Sequence, residues 1–270
     1  MGRIAAGYTL VELIIVLALL PLLLAVGYGA LAAAHRFYLH EVEMMEAREA
    51  ALTAIEVLAA EFRALSPSAG DIYAMAPDSV ALRSTVGSAF VCQALGSSLS
   101  LWRVSGVFGG SPSDSVVIFA ERSSPSRDDD TVVTAHIVAA APGGDPVCPG
   151  GALSQRELSI DPPIEGTTIG AALRAFRPYV YRLYRAADGR WWLGQRPRGG
   201  IIQPIAGPFA PPAEGGLELR WLNAAGAPAA FAGQVARVDV RVKSRARRHV
   251  GGGALLLGDS LRVIVAVRNR

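Results

Sequence analysis

Lysine is almost missing: Lys243 is the only one among 270 residues. A P-loop needs glycines ahead of a Lys-Ser/Thr pair, and Val242-Lys243-Ser244 has none. Cysteine occurs twice, at Cys92 and Cys148, with no CxxC, which excludes a structural zinc site built from cysteines. The pair is either one disulfide, if the body is exported, or two unpaired small apolar residues. Histidine occurs four times. His40-Glu41 starts an HExxH-like string, but Met44 stands where the second ligand is needed, so His35 and His40 read as exposed helix residues. No GxSxG is present, and Gly109-Gly110-Ser111-Pro112 does not supply one. No catalytic arrangement and no cofactor motif is legible. Charged residues make up 18% of the chain, against about 25% in an average soluble domain.

What is present is apolar: 51% of residues are hydrophobic. Much of that surplus sits near the start. From Leu13 to Ala34 no residue carries a charge. Those 22 residues would span about 33 Å as a helix, enough for a bilayer core. The run is longer than the apolar core of a secretory signal peptide, and the small residues Ala5-Ala6-Gly7 precede it instead of following it. Glu12 lies at the edge of the apolar run, where a carboxylate is costly and reads as functional. Pro21, mid-run, removes the backbone bond to the Leu17 carbonyl and favours a kink or a melted turn. Arg3 precedes the span, while Glu41, Glu43, Glu46 and Glu49 follow it against Arg36 and Arg48. That bias puts the N-terminus in the cytoplasm and the body outside it.

Gly7-Tyr8-Thr9-Leu10-Val11-Glu12-Leu13 resembles the prepilin motif of type IV pilins and type II secretion pseudopilins, with Tyr8 where that family usually has Phe. The resemblance implies cleavage between Gly7 and Tyr8 by a membrane prepilin peptidase and N-methylation of Tyr8. It also implies pairing of Glu12 with the N-terminus of a neighbouring subunit. The implied partners are other pilin or pseudopilin subunits, the peptidase, an inner-membrane assembly platform, and the lipid bilayer before assembly. The implied location is the bacterial inner membrane, single-pass with the head periplasmic, and then a pilus or pseudopilus.

Helix formers continue past Ala34. Leu52, Ile55, Val57-Leu58, Phe62 and Leu65 recur near helical spacing, and Ser66-Pro67 supplies a stop. One helix is expected over 8–65, with 8–34 apolar all round, 35–65 amphipathic, and 1–7 as leader. Residues 66–270 hold 25 of 29 glycines and 16 of 17 prolines, so a head of short strands and turns is expected. The expected strands are 80–85, 89–94, 100–104, 115–120, 132–139, 180–185, 190–195, 217–222, 235–243 and 261–268. A hairpin turns at Asp188-Gly189, and another has its tip near Arg247–Gly253. The fold class is α+β: a long helix packed on an antiparallel β-rich head. The pattern Leu217–Gly226 and the last strands, Leu261–Asn269, resemble the heads of PilW-type minor pilins and J-type pseudopilins.

The net charge of +3 divides unevenly. Helix 8–65 carries three basic and seven acidic side chains, so 66–270 holds +6 beside Arg3. From Arg237 to Arg270 nine cations face two acids. That stretch is either the solvated outer faces of two strands or a surface for DNA or another anion. Asp128-Asp129-Asp130 lacks the spacing of a calcium loop and reads as a solvated turn.

Overall fold

The computed structural model describes residues 9–109, 111–120, 131–145, 148–250 and 253–268. The expected leader, Gly7, Tyr8 and the Asp128–Asp130 turn therefore lie outside the described residues. One helix, α1 (Leu10–Ala64), leads into a head of fourteen strands among the described residues.

Thr9 caps α1, its Oγ1 accepting from the Glu12 backbone N–H at 3.3 Å. At the other end Leu65 is extended and its N–H donates to the Phe62 carbonyl, with Pro67 just beyond. The helix passes Pro21 without a break. The melted turn expected there is not formed, because one lost backbone bond is absorbed within 55 helical residues. From Leu10 to Glu46 no residue is buried. The buried stripe starts at Ala47 and continues through Ala50, Ala51, Ala54, Leu58, Ala59 and Phe62. This corrects the expected stripe: Leu52 points outward at 45% exposure. Alanines form most of the packing face, because a helix laid closely on a sheet needs small side chains between the two backbones.

The strands are β1 (Ile72–Met75), β2 (Ser79–Leu95), β3 (Ser98–Gly106), β4 (Ser115–Ala120), β5 (Thr131–Pro142), β6 (Arg156–Asp161) and β7 (Ala172–Arg185). They continue as β8 (Trp191–Pro197), β9 (Gln203–Phe209), β10 (Leu217–Leu222), β11 (Arg237–Lys243), β12 (Ala246–Val250), β13 (Gly253–Leu257) and β14 (Ser260–Ala266). Every pairing is antiparallel.

The pairings close a ring. β2 pairs β3, β3 pairs β6, β6 pairs β5, β5 pairs β4, β4 pairs β7, and β7 returns to β2. The result is a six-stranded barrel, filled by Val91, Leu99, Leu101, Val116, Ile118, Leu158 and Leu173 among others. Beyond the barrel, β2 and β7 run on into an open sheet ordered β1-β2-β7-β8-β9. That sheet and the smaller β10-β11-β14 sheet enclose the buried face of α1. Phe62 meets Trp221 edge-on at 5.8 Å, and Arg268 N–H donates to the Leu65 carbonyl. The head thus has two cores, and only one of them contains the helix.

A bulge near Gly87 lets β2 serve both cores. A Cβ there would lie 2.8 Å from the Phe108 ring and 2.9 Å from the Val107 carbonyl. The register shift between Thr85 and Gly87 changes the buried parity from Val80, Leu82 and Ser84 to Ala89 and Val91. The two strands expected at 80–85 and 89–94 are therefore one. The C-terminal hairpin is longer than expected. β11 pairs β14, and β12 pairs β13 in the same register past an interruption at Ser244 and Asp259.

Candidate functional site

The first candidate is the projecting part of α1. Its 37 residues from Leu10 to Glu46 extend about 55 Å. Leu13, Ile14, Ile15, Val16 and Leu17 are each more than half exposed, as are Leu22, Leu23 and Leu24. This is the one helix among the described residues that is long and apolar enough to cross a membrane. A surface of this kind is far larger than the apolar patch a soluble monomer leaves open.

Glu12 stands in the first turn of α1 with its side chain exposed. Thr9 and Glu12 have the spacing of a capping box, and the Thr9 half of it is made. A carboxylate here also faces the positive end of the helix dipole. That local use was legible as Thr-x-x-Glu ahead of an apolar run, and the motif-based reading passed over it.

Cys92 on β2 and Cys148, between β5 and β6, form a disulfide across 56 positions. Both are buried at the barrel.

In the Arg-rich C-terminal stretch, four of the cations whose side chains are described are engaged by the chain itself. Arg262 holds Asp239 through two hydrogen bonds of 2.8 Å, which keeps the Asp239 carboxyl below the usual carboxylate range. Arg241 meets Glu218 at 3.5 Å, Arg245 pairs with Glu214, and Arg237 donates to the Ala224 carbonyl. Trp221 belongs to the helix core and donates to the Ala76 carbonyl, and Trp191 packs against the same core. Trp192 donates to Asp188. These indoles do not form one stacking platform. No cluster of three or more potential metal ligands occurs among the described residues.

Inside the helix core sits one polar group that no motif pointed to. The Tyr181 hydroxyl meets Gln195 Nε2 at 2.9 Å and Ser84 Oγ at 3.3 Å, and it bonds Glu61 of α1. Burial, and then the Glu61 charge, push its ionisation well above the ordinary tyrosine value. Asp114, fully buried at the entry to β4, is held by Arg177 at 2.6 and 2.7 Å. Both arrangements lock elements together and leave no reactive group exposed.

Comparisons with protein-family models, with curated proteins and with solved structures found no match to this chain.

Proposed function

We propose that the chain is a structural subunit of a filament: a minor pilin of PilW type or a type II secretion pseudopilin of J type. The observation that carries the reading is the division of α1. Its residues 10–39 are exposed, with Ala32 alone half-buried, while its last turns are built into the head. Such a helix can be held by lipid first and by neighbouring helices afterwards, with no change in the head. On this reading the peptidase cuts after Gly7, Tyr8 becomes the methylated N-terminus, and Glu12 pairs with the amine of an adjacent subunit in the filament core. The disulfide supports an oxidising, extracytoplasmic head. The broad barrel beside the helix core suits the filament tip, where no subunit is stacked above.

The test has two arms. Coexpression with a prepilin peptidase should remove seven residues and add a methyl group, read by intact mass. Glu12→Gln should abolish incorporation into filaments while membrane insertion and processing persist. An unshifted mass, or normal incorporation of the variant, refutes the reading.

The Thr9–Glu12 cap favours a second reading, a signal-anchored envelope protein whose glutamate only starts the helix. That protein would be left uncut by the peptidase. A DNA-contacting pilus subunit is the weakest reading, because Arg241, Arg245 and Arg262 already hold carboxylates.

A further inference from the structure

β7 is a fork. Along one edge it pairs with β2 for almost its whole length. Along the other it pairs with β4 up to Phe176 and with β8 from Tyr179 onward. Between the start of β4 and the end of β8, on the sheet face turned away from α1, the structure opens a groove of about 810 Å³. Its size lies within the range of ligand-binding clefts.

Three kinds of surface line it. The floor is apolar and made by Ala81, Pro178 and Val180. One wall carries Tyr73, which is 55% exposed. The opposite wall is cationic. Arg196 stands on β8 opposite Val180, and Arg198 sits in the β8–β9 turn. That turn is fixed: Arg198 N–H donates to the Pro178 carbonyl, and Gly199 takes the positive φ the reversal requires. Ser115 and His136, paired across β4 and β5, add polar groups at the barrel end.

The charges are unbalanced. No carboxylate lines the groove, and neither Arg196 nor Arg198 has an ion-pair partner among the described residues. The nearby Asp114 is buried and consumed by Arg177. The other polar groups of the lining are the hydroxyls of Tyr73, Ser113, Ser115 and Tyr179 and the His136 ring, which accept or donate without adding charge of the opposite sign. The complementary ligand is anionic, partly apolar and extended.

We propose that this groove binds an acidic peptide segment of a partner protein, its carboxylates on Arg196 and Arg198 and its apolar side chains on the Ala81–Pro178–Val180 floor. Charge-assisted contacts of exposed arginines give orientation and on-rate, and the floor and Tyr73 ring give the desolvated contact. The site lies in the head and is independent of how α1 is used.

The test uses the full-length protein in detergent micelles and fluorescence anisotropy. The probes are short labelled peptides that combine Asp or Glu with Leu, Val and Tyr in varied order. Their Asn/Gln counterparts and a labelled oligothymidylate serve as comparisons. Acidic peptides should bind saturably, and their amide counterparts about tenfold more weakly. Arg196→Glu with Arg198→Glu should weaken binding by at least about tenfold. Arg174→Glu with Arg237→Glu, the same charge change away from the groove, should leave it within about twofold. Equal loss in both double variants, or no saturable binding by any acidic peptide, overturns the proposal. Oligothymidylate binding that only the groove variant removes, without peptide binding, reassigns the groove to nucleic acid. Circular dichroism checks that both double variants remain folded.

Discussion

Replacing Cys92 and Cys148 by alanine together should destabilise the barrel about as much as a large cavity cut into its core. The two residues lie 56 apart. For a closed loop of that length the chain-entropy relation gives about 14 cal/mol/K, or about 4 kcal/mol at 25 °C. That is a large share of the 5–15 kcal/mol that holds an ordinary domain together. Alanine is the right replacement because both sites are 3% exposed, and a serine hydroxyl there would add a desolvation cost. Urea unfolding of the oxidised protein and the double variant should show a midpoint difference that, multiplied by the m-value, gives this free energy. Hydrogen exchange should locate it, with β5 and β6 amides opening before those of β10 and β11, which belong to the other core. A change below about 1 kcal/mol, or equal loosening of both cores, would refute the assignment of the bridge as the barrel's principal staple.

Ala54→Leu should cost about 1–3 kcal/mol by forcing α1 off the sheets, whereas Leu52→Ala should stay within about 0.5 kcal/mol; thermal melts of the two compare them directly. Tyr181→Phe leaves Gln195, Ser84 and Glu61 facing an apolar ring edge and should cost about 1–3 kcal/mol in the same assay. The raised Tyr181 ionisation means the fold favours the neutral phenol. Stability is thus full below about pH 10, the unfolded value, and falls as pH rises above it, read by ultraviolet titration at the phenolate band. Asp239 runs the other way. Its lowered value stabilises the fold above about pH 4, and that contribution fades as the carboxylate protonates on acidification; Asp239→Asn should flatten the acid limb of the denaturation profile.

Local regularity decided what could be read from the sequence. α1 was legible end to end because an uncharged run is followed without a breaker by strong helix formers up to Ser66-Pro67. β4 and β10 match their expected bounds, since Ser115–Ala120 and Leu217–Leu222 are short apolar runs between turns. β9 was not expected: Gln203–Phe209 holds two prolines and a glycine, which an end strand tolerates because one of its edges needs no partner. β6 carried a usable signal, the alternation of Leu158 and Ile160, but was not among the expected strands. Barrel closure had no local signal at all, because it depends on β2 meeting β7 some ninety residues away. At the candidate sites, the helix and its glutamate were legible as motifs. The groove was not, since Tyr73, Pro178 and Arg196 come together only through strand order.

The passage of β2 and β7 through both cores has a consequence for how the head can be taken apart. Two strands cross from barrel to helix sheet without a loop between, and they are hydrogen-bonded to each other on either side of the bulge. No hinge separates the two halves, and no boundary exists at which one could be expressed without the other. Any cut that frees the barrel also strips the sheet that seats α1.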